Sequence, residues 1–378
     1  MGSGNLACTV AFGTILAAAT MAQGQTPSVE YIDLGRDLVP LYLPSTYDAS
    51  EPLPLIVALH GYGMNGPIIE NYFNLIQQVE SKRFLYCLPE GTLDSTGYRF
   101  WNATKACCDF AGSNVDDSTY LIELVELIRD QYALDDLSIH FMGYSNGGFM
   151  SYRMACDHAD IIASILSLSG MTYRDGIHCS PSEAVNVLHV HGTDDDIVLF
   201  DGGCFYFNGF CYPGATQTAA RWAWYNGCDP VAQDAGEAFD LDWSILGDET
   251  TSSIYEQNCN AGVSVEMWTM TGSGHMAMFR GPGEAPMDNR FAERAIDWLF
   301  SHRKGQEATD RDALISLHNT TGGDSWSVKS GWKDAPTLAD GFNNDPCAEP
   351  LWFGVTCQEA SVTQLSLNSN QLTGEIPS

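Results

Sequence analysis

The sequence has few basic residues, and it has no internal apolar stretch long enough to cross a membrane. It contains 17 Lys and Arg residues against 48 Asp and Glu, which gives a formal net charge of −31. A field of that sign repels nucleic acid phosphates and anionic lipid surfaces, so we expect no nucleic acid partner. No internal run reaches the roughly 18 apolar residues of a membrane span, so we expect none. With 44% hydrophobic residues, the chain can still bury a sizeable core.

One long apolar segment lies at the N-terminus. Residues 6–22 (LACTVAFGTILAAATMA) are uncharged and rich in alanine. This composition is typical of a secretory signal peptide cleaved after Ala22, although residues 1–5 contain no Lys or Arg. A lipid-attachment site at Cys8 is a weaker interpretation, because the apolar region follows that cysteine instead of preceding it. We therefore expect a secreted, extracellular protein with a signal peptide over residues 1–22.

Twelve cysteines in a chain with such a signal indicate disulfides formed in an oxidising compartment. Loss of Cys8 with the signal leaves eleven, so at least one thiol is free or pairs between molecules. No CxxC pair has zinc spacing, which disfavours a metal at these thiols. The short loop between Cys204 and Cys211 favours a bridge on closure entropy alone. The residues alone leave the pairing of Cys87, Cys107, Cys108, Cys156 and Cys179 open.

Apolar runs alternating with amphipathic segments predict a mostly parallel sheet with helices on both faces. After two short strands within 29–43, we expect strands at 53–59, 84–88, 137–142, 165–168, 185–190 and 265–270. Helices are expected near 68–81, 118–132, 146–158 and 287–302. The fold class is therefore α/β, in a unit that spans residues 23–303.

The composition changes after Arg303, where residues 304–308 are expected to form a polar linker. Segment 345–357 (DPCAEPLWFGVTC) and the pattern LSLNSNQLTGEIP at 365–377 resemble the N-terminal cap and first repeat of a plant-type leucine-rich-repeat protein. The resemblance implies a module over residues 309–378 with a Cys347–Cys357 bridge. One repeat leaves its stacking face uncovered, so we expect that the repeat region is truncated in this sequence. We also expect this module to recruit a protein or surface partner.

Segment 143–147 (GYSNG) lies between a predicted strand and a predicted helix. This is the context of a nucleophile elbow, because small flanking residues allow the strained turn that exposes the serine hydroxyl. A nucleophilic serine needs a histidine base and an orienting carboxylate, which in such folds follow in the order acid, then histidine. We therefore predict that Ser145 is the nucleophile.

Two later loops offer those partners. Segments 191–198 (HGTDDDIV) and 272–275 (GSGH) each follow a predicted strand, at the carboxyl edge where open α/β sheets place their sites. Of the nine histidines, only His275 combines a Gly-rich loop, this edge and the required chain order. A metal site at His189, His191 and the neighbouring carboxylates is a weaker alternative. The predicted mechanism requires no metal and no cofactor.

The third ingredient of such a site is an oxyanion hole. Segment 59–63 (LHGYG) ends the first buried strand with the glycines that this feature requires. We predict that the backbone N–H groups of Tyr62 and of Asn146 point at the developing alkoxide.

Taken together, these motifs resemble the secreted esterase family of polyhydroxybutyrate depolymerases and feruloyl or acetylxylan esterases. The likeness spans about residues 30–303 and rests on HGYGMNG, the segment 101–117, GYSNGGFM, HGTDDDIV and GSGH. The family pattern His-Gly-Thr-x-Asp-x-x-Val-Pro implies that Asp195 is the orienting acid, with Leu199 in place of the proline. It also implies an α/β-hydrolase fold and an acyl-enzyme mechanism.

The same resemblance implies further contacts and bridges. Its cysteine positions imply the pairs Cys228–Cys259 and Cys156–Cys179. Trp101, Tyr62, Tyr144 and Phe279 are candidates for an aromatic face beside the serine, with Trp101 and Tyr144 as the predicted substrate-binding residues. Burial of Trp101 in the core is an equally good interpretation.

We therefore expect a serine carboxylic-ester hydrolase that acts on a neutral polymeric or hydroxycinnamoyl ester. The sequence does not choose between a polyhydroxyalkanoate, a hydroxycinnamoyl sugar ester, an acetylated xylan and an aromatic polyester. A peptidase of the same fold is a rival within the enzymes. The alternative from another class is a cell-surface binding protein that uses its repeats and carries an inactive esterase domain.

Overall fold

The computed structural model describes most of the chain after the expected signal peptide. The described residues are 26–205, 209–236, 238–285, 289–305, 314–315, 317–318, 321–333, 342, 346–347, 352–358, 361–368, 370 and 372. The signal peptide predicted for residues 1–22 lies outside the described residues, as do 373–378 of the predicted repeat.

Strands and helices alternate along the chain. The strands are β1 (Ser28–Ile32), β2 (Val39–Leu43), β3 (Leu53–Leu59), β4 (Leu85–Cys87), β5 (Thr92–Leu93), β6 (Arg99–Phe100), β7 (Leu134–Tyr144), β8 (Ser164–Leu168), β9 (Asn186–Gly192), β10 (Gly203–Cys204), β11 (Cys211–Tyr212), β12 (Gln233–Asp234), β13 (Thr250–Tyr255), β14 (Val265–Met270), β15 (Val355–Gln358) and β16 (Ser361–Leu365). The helices are α1 (Gly66–Phe73), α2 (Ile76–Lys82), α3 (Asp117–Gln131), α4 (Asn146–Asp157), α5 (Ala215–Tyr225) and α6 (Arg290–Ser301). Over the ranges that the structure describes, none of these helices is long and apolar enough to cross a membrane.

Ten strands form one sheet in the order β1-β2-β4-β3-β7-β8-β9-β14-β13-β12. The six strands from β4 to β14 in that order pair in parallel. The flanking strands β1, β2, β13 and β12 add on in antiparallel fashion. The prediction of a mostly parallel sheet is therefore confirmed, and its carboxyl edge gathers the loops after β3, β7, β9 and β14.

The period-two alternation of the strands divides the core into two layers. Leu55, Val57 and Leu59 of β3 face a cluster that includes the buried sides of α3, α4 and α5. Ile56 and Ala58 of the same strand face a second cluster that includes α1, α2 and α6. Because both faces are covered, the central strands are apolar on both sides, as their sequence indicates.

The structure differs from the sequence prediction in a long helix, in helix α5 and in strand β13, besides the short strands β5, β6, β10, β11, β12, β15 and β16, which were not expected. The helix expected near 68–81 is two helices, because Asn74 adopts a left-handed conformation with φ 59° and ends α1. The Glu70 carboxylate then accepts the N–H groups of Leu75 and Ile76, which begin the next helix. Helix α5 and strand β13 were not predicted. The polar sequence TTSSIY of β13 resembles a loop, and pairing with β14 and β12 makes it a strand.

Five disulfides link the described cysteines. They join Cys107 to Cys108, Cys156 to Cys179, Cys204 to Cys211, Cys228 to Cys259, and Cys347 to Cys357. Cys87 is the free cysteine of the described chain. It lies in β4 between Leu41 of β2 and Val57 of β3, with no exposed surface.

The C-terminal region has a small core of its own. Trp326, Trp332 and Trp352 pack with Leu314, Phe342 and Val355. Strands β15 and β16 pair as an antiparallel hairpin beside this cluster. Lys304, predicted as the first linker residue, belongs instead to the unit that precedes it. Its N–H donates to the Leu137 carbonyl, and its ammonium donates to the Ala159 carbonyl.

We expect Cys87 to be inert toward thiol reagents in the folded protein. Burial raises the pKa of its thiol, so the reactive thiolate is scarce, and no reagent reaches the sheet interior. Alkylation followed by mass spectrometry of the Cys87 peptide measures this directly. The same protein in guanidinium chloride is the control and should be labelled completely. Rapid labelling under native conditions would contradict the placement of β4 inside the sheet.

Candidate active site

Three loops meet at the carboxyl edge of the parallel sheet. Ser145 follows β7 and precedes α4, Asp195 follows β9, and His275 follows β14. Neighbouring parallel strands end side by side, so residues far apart in sequence come together here. The Ser145 hydroxyl oxygen lies 3.0 Å from His275 Nε2, and His275 Nδ1 lies 2.7 Å from Asp195 Oδ2.

Close packing forces the backbone at Ser145 into a strained turn. Ser145 has φ 54° and ψ −116°, a conformation that costs a residue with a side chain about 1–3 kcal/mol. A Cβ atom at Gly143 would lie 2.2 Å from the backbone of Gly147, and one at Gly147 would lie 2.1 Å from the Leu59 carbonyl oxygen. Glycine at both positions therefore lets α4 approach β3 and β7 and keeps the turn in place. This is the elbow geometry that the sequence predicts.

Asp195 is a buried carboxylate that accepts several hydrogen bonds. Oδ1 accepts the N–H groups of Ile197 and Val198 at 2.9 and 2.8 Å, and Oδ2 accepts from His275. Burial by itself raises the pKa of a carboxyl, but the bonds from His191 and His275 hold the pKa of Asp195 well below its usual range. Its neighbours Asp194 and Asp196 are exposed. Asp195 is therefore the carboxylate of this run that contacts the imidazole.

The sequence did not predict the second histidine on Asp195. His191 is fully buried, and its Nε2 lies 3.1 Å from Asp195 Oδ2 and 2.7 Å from the Val198 carbonyl oxygen. Both neighbours are acceptors, so Nε2 carries the proton. Adjacent His189 bonds the Tyr152 hydroxyl instead. Over the residues that the structure describes, no group of three His, Cys, Asp or Glu side chains is arranged to hold a metal.

A second carboxylate, also missed from the sequence, fixes the loop that carries His275. Asp242 Oδ2 accepts from the Ser273 hydroxyl at 2.5 Å, and Asp242 Oδ1 accepts the Met278 N–H at 3.2 Å. Asp242 is itself buried. It lies in irregular chain before β13, where no local pattern distinguishes it from other surface aspartates.

The backbone N–H groups of Tyr62 and Asn146 have no acceptor within the described part of the chain. The Asn146 side chain is fixed, because its amide donates to the Trp101 carbonyl at 2.9 Å and its oxygen accepts the Trp101 N–H at 2.7 Å. His60 fixes the opposite loop. Its Nε2 accepts the Gly91 N–H and its Nδ1 donates to the Gly61 carbonyl. Burial lowers the pKa of His60 to about 4, so the ring stays neutral.

The two predicted substrate-binding aromatics do not line an open surface. Trp101 is fully buried, and its indole N–H donates to the His60 carbonyl. Tyr144 is only 3% exposed and packs against the His275 ring, with 5.2 Å between ring centroids. Both side chains therefore pack beneath the loops of the site, and their contact with substrate stays a prediction.

Another of the predicted aromatic residues, Tyr62, is exposed and groups with two aromatic side chains that were not predicted, Tyr98 and Phe110. The Tyr62 ring lies 5.8 Å from Tyr98 and 5.2 Å from Phe110, as measured between centroids. Each of the three is more than one-third exposed. Their distance from one another in the sequence hides this grouping, which only the fold creates.

Comparison with known proteins agrees with this architecture. A family model described as "Putative esterase" matches residues 35–237, which is more than half of the chain. Feruloyl esterase B of Piromyces equi is 25% identical over 240 residues, which cover 61% of this chain and 41% of that protein. Feruloyl esterase C of Emericella nidulans is 29% identical over 184 residues, which cover 47% of this chain and 61% of that protein. The chain thus spans about half the length of these two relatives.

A solved structure shares the fold. The acetyl xylan esterase from Aspergillus awamori aligns with a TM-score of 0.50 and 15% identity, over 72% of this chain and 99% of that one. At that identity, the likeness concerns the fold alone. The mostly parallel sheet with helices is consistent with an α/β-hydrolase fold. The family match covers the loops of Ser145 and Asp195 and the Tyr62 loop. The chain therefore belongs to the esterase family that this model describes.

Proposed function

We propose that the protein is a serine ester hydrolase with Ser145, His275 and Asp195 as its catalytic triad. The hydrogen-bonded chain from the Ser145 hydroxyl through His275 to a buried carboxylate is the observation that carries this proposal. Ser145 Oγ attacks the ester carbonyl while His275 Nε2 takes the hydroxyl proton. Asp195 keeps the proton on Nδ1, so Nε2 is free to accept, and it stabilises the imidazolium that forms.

The negative oxygen of the tetrahedral intermediate would lie between the N–H groups of Tyr62 and Asn146. Two preorganised donors stabilise a developing oxyanion more than a ground-state carbonyl, which lowers the barrier. His275 then returns its proton to the leaving alcohol, which departs and leaves an acyl-enzyme. Water, activated by the same imidazole, attacks that ester and releases the acid. No step requires a metal or cofactor.

For the substrate we propose a hydroxycinnamoyl or other polymeric ester. The exposed aromatic side chains of Tyr62, Tyr98 and Phe110 offer stacking surfaces for an aromatic acyl group. Two relatives are named feruloyl esterases, which favours this substrate class over a polyhydroxyalkanoate. Five disulfides fit secretion into an oxidising compartment.

For the C-terminal region we propose a leucine-rich-repeat cap and first repeat. Asn370 occupies the asparagine position of the leucine-rich-repeat pattern, and its side chain is buried. Its amide oxygen accepts the Val328 N–H and its amide nitrogen donates to the Val328 carbonyl, both at 2.8 Å. This pairing satisfies backbone groups as a stacked repeat requires. The alternative, a binding protein with an inactive esterase unit, is disfavoured by the complete hydrogen-bonded chain at Ser145.

Substitutions in the triad test the proposal. We expect Ser145→Ala to reduce turnover of a chromogenic ester by at least about a thousandfold, because the nucleophile is lost while little packing changes. Asp195→Asn should also reduce it strongly, because asparagine cannot hold the same tautomer of His275. Asp196→Asn is the matched control and should retain wild-type turnover, since that carboxylate is exposed. Steady-state kinetics and thermal unfolding of each variant provide the measurement. A folded Ser145→Ala protein with ordinary activity, or an Asp196→Asn variant that is worse than Asp195→Asn, would refute the assignment.

The pH profile tests the base. Because the hydrogen bonds of Asp195 lower its pKa, that carboxylate stays ionised as the pH falls through the range where histidines titrate. We therefore expect kcat/KM to decline on acidification through a single step, because the base can take the Ser145 proton only in its neutral form. Two esters with different leaving groups should show the same acid limb. A limb of slope two, or a rate that stays flat far into the acid range, would argue against one histidine as the base.

Removal of the C-terminal region tests whether it acts on the chemistry. A chain that ends at Gly305 should hydrolyse a small soluble ester with nearly unchanged kcat/KM, because every proposed catalytic residue precedes the cut. A chain that ends at Arg303 is the control and should unfold at a lower temperature, since it loses the bonds of Lys304 to Leu137 and Ala159. Loss of most activity in a well-folded chain ending at Gly305 would show that the region helps to build the active site.

A further inference from the structure

The basic side chains of this acidic protein are unevenly distributed. Of the fourteen Lys and Arg residues described between residues 26 and 305, nine form ion pairs with carboxylates. The nine are Arg36, Lys82, Arg83, Arg99, Arg129, Arg153, Arg290, Arg303 and Lys304. Three of the remaining five, Lys105, Arg174 and Arg221, line one cleft. In a chain with 48 acidic residues, such a grouping without carboxylate partners is unexpected.

The cleft has a volume of about 600 Å³. Its walls come from the segment around Lys105, from the loop after β8 that carries Arg174, and from α5, which carries Arg221. His178 and one carboxylate, that of Asp175, also line it, so three permanent positive charges face one negative charge. A concave site with this balance focuses a positive potential on a small anion.

Arg221 is held in position to bind a ligand. Its Nη1 donates to the carbonyls of Tyr173 and Arg174, which fixes the guanidinium plane. Nε and Nη2 have no acceptor among the described residues, and a guanidinium offers paired donors that match a carboxylate. Arg174 and Lys105 are exposed at the cleft and can move onto an anion. The cleft therefore combines one fixed donor with two adaptable ones.

The cleft lies on the same side of the sheet as the proposed nucleophile. The loop of Arg174 leaves the carboxyl end of β8, next to β7, which carries Ser145. Arg174 and Arg221 also line a second cleft of about 380 Å³, whose walls include Tyr212 and Asp201. An aromatic row connects that cleft with the Tyr62 loop, with centroid distances of 5.2 Å from Tyr62 to Phe110, 6.4 Å from Phe110 to Phe205, and 4.9 Å from Phe205 to Tyr212.

The global charge limits what this cleft can accept. A net charge of −31 repels a dense polyanion before it reaches the surface. An isolated carboxylate on an otherwise neutral chain experiences much less of that repulsion and still gains the local donors. A neutral saccharide chain with a single acidic sugar unit has this chemistry.

We propose that the cleft lined by Lys105, Arg174 and Arg221 is an anion subsite that binds a carboxylate on the saccharide part of the ester substrate. This inference rests on the proposed esterase function and narrows its substrate class to esters of saccharides that carry few acidic units. The subsite acts on binding, so it lowers KM and leaves the chemistry at Ser145 unchanged.

A matched pair of substrates provides the test. One is a feruloylated xylo-oligosaccharide with a single glucuronic acid branch, and the other is the same compound with its carboxyl reduced to the alcohol. We expect the wild-type protein to show a KM about tenfold lower for the acidic compound, as charge-assisted hydrogen bonds imply. In the double variant Lys105→Gln/Arg174→Gln, this preference should fall to about one. Arg83→Gln is the control, since it removes the same type of charge at the end of α2, and it should retain the preference.

Two results would overturn the subsite. One is an equal kcat/KM of the wild-type protein for the acidic and the reduced compound. The other is a double variant that weakens both compounds alike. Methyl ferulate, which has no saccharide, separates this inference from the function on which it rests. If the wild-type protein hydrolyses no ester at all, the proposed function fails. Calorimetric titration of Ser145→Ala with the two oligosaccharides then decides the subsite alone, because binding needs no turnover.

Discussion

A buried carboxylate is stable in its charged form only when donors surround it, and Asp195 is the group around which this site is arranged. Two backbone N–H groups and two histidines direct their protons at it. These donors belong to β9, to the loop after β9 and to the loop after β14. The charge therefore ties both loops together and sets the orientation of the His275 ring.

The same edge carries a second constraint, which is steric. The Ser145 turn persists because Gly143 and Gly147 allow backbone to approach backbone, and the rigid sheet below offers no alternative arrangement. Trp101 and Tyr144 contribute from the interior. Trp101 pairs with the Asn146 side chain, and Tyr144 packs beneath His275. Large aromatic residues near a nucleophile can thus serve the site without touching a substrate.

The electrostatic potential of the molecule differs between the protein as a whole and one local cleft. The overall negative charge keeps polyanions away, whereas the cleft lined by Lys105, Arg174 and Arg221 presents a local positive surface. Salt screens Coulombic interactions in water within about 10 Å at moderate ionic strength. The potential close to the cleft can therefore be positive although the potential of the whole protein is negative. The row of aromatic side chains from Tyr62 to Tyr212 runs from the Tyr62 loop toward this positive region.

The sequence by itself determined the features that depend on local pattern. Continuous apolar runs predicted the central strands, and the GYSNG, HGTDDDIV and GSGH segments predicted which loops carry Ser145, Asp195 and His275. Other features required the tertiary structure, because they join residues that are distant in sequence. Strand β13 forms through pairing with β14 and β12, and Asp242 reaches Ser273 only because two loops fold onto each other. The burial of Trp101 and the grouping of Lys105, Arg174 and Arg221 likewise depend on which surfaces the packed sheet covers or leaves open, which a one-dimensional pattern does not encode.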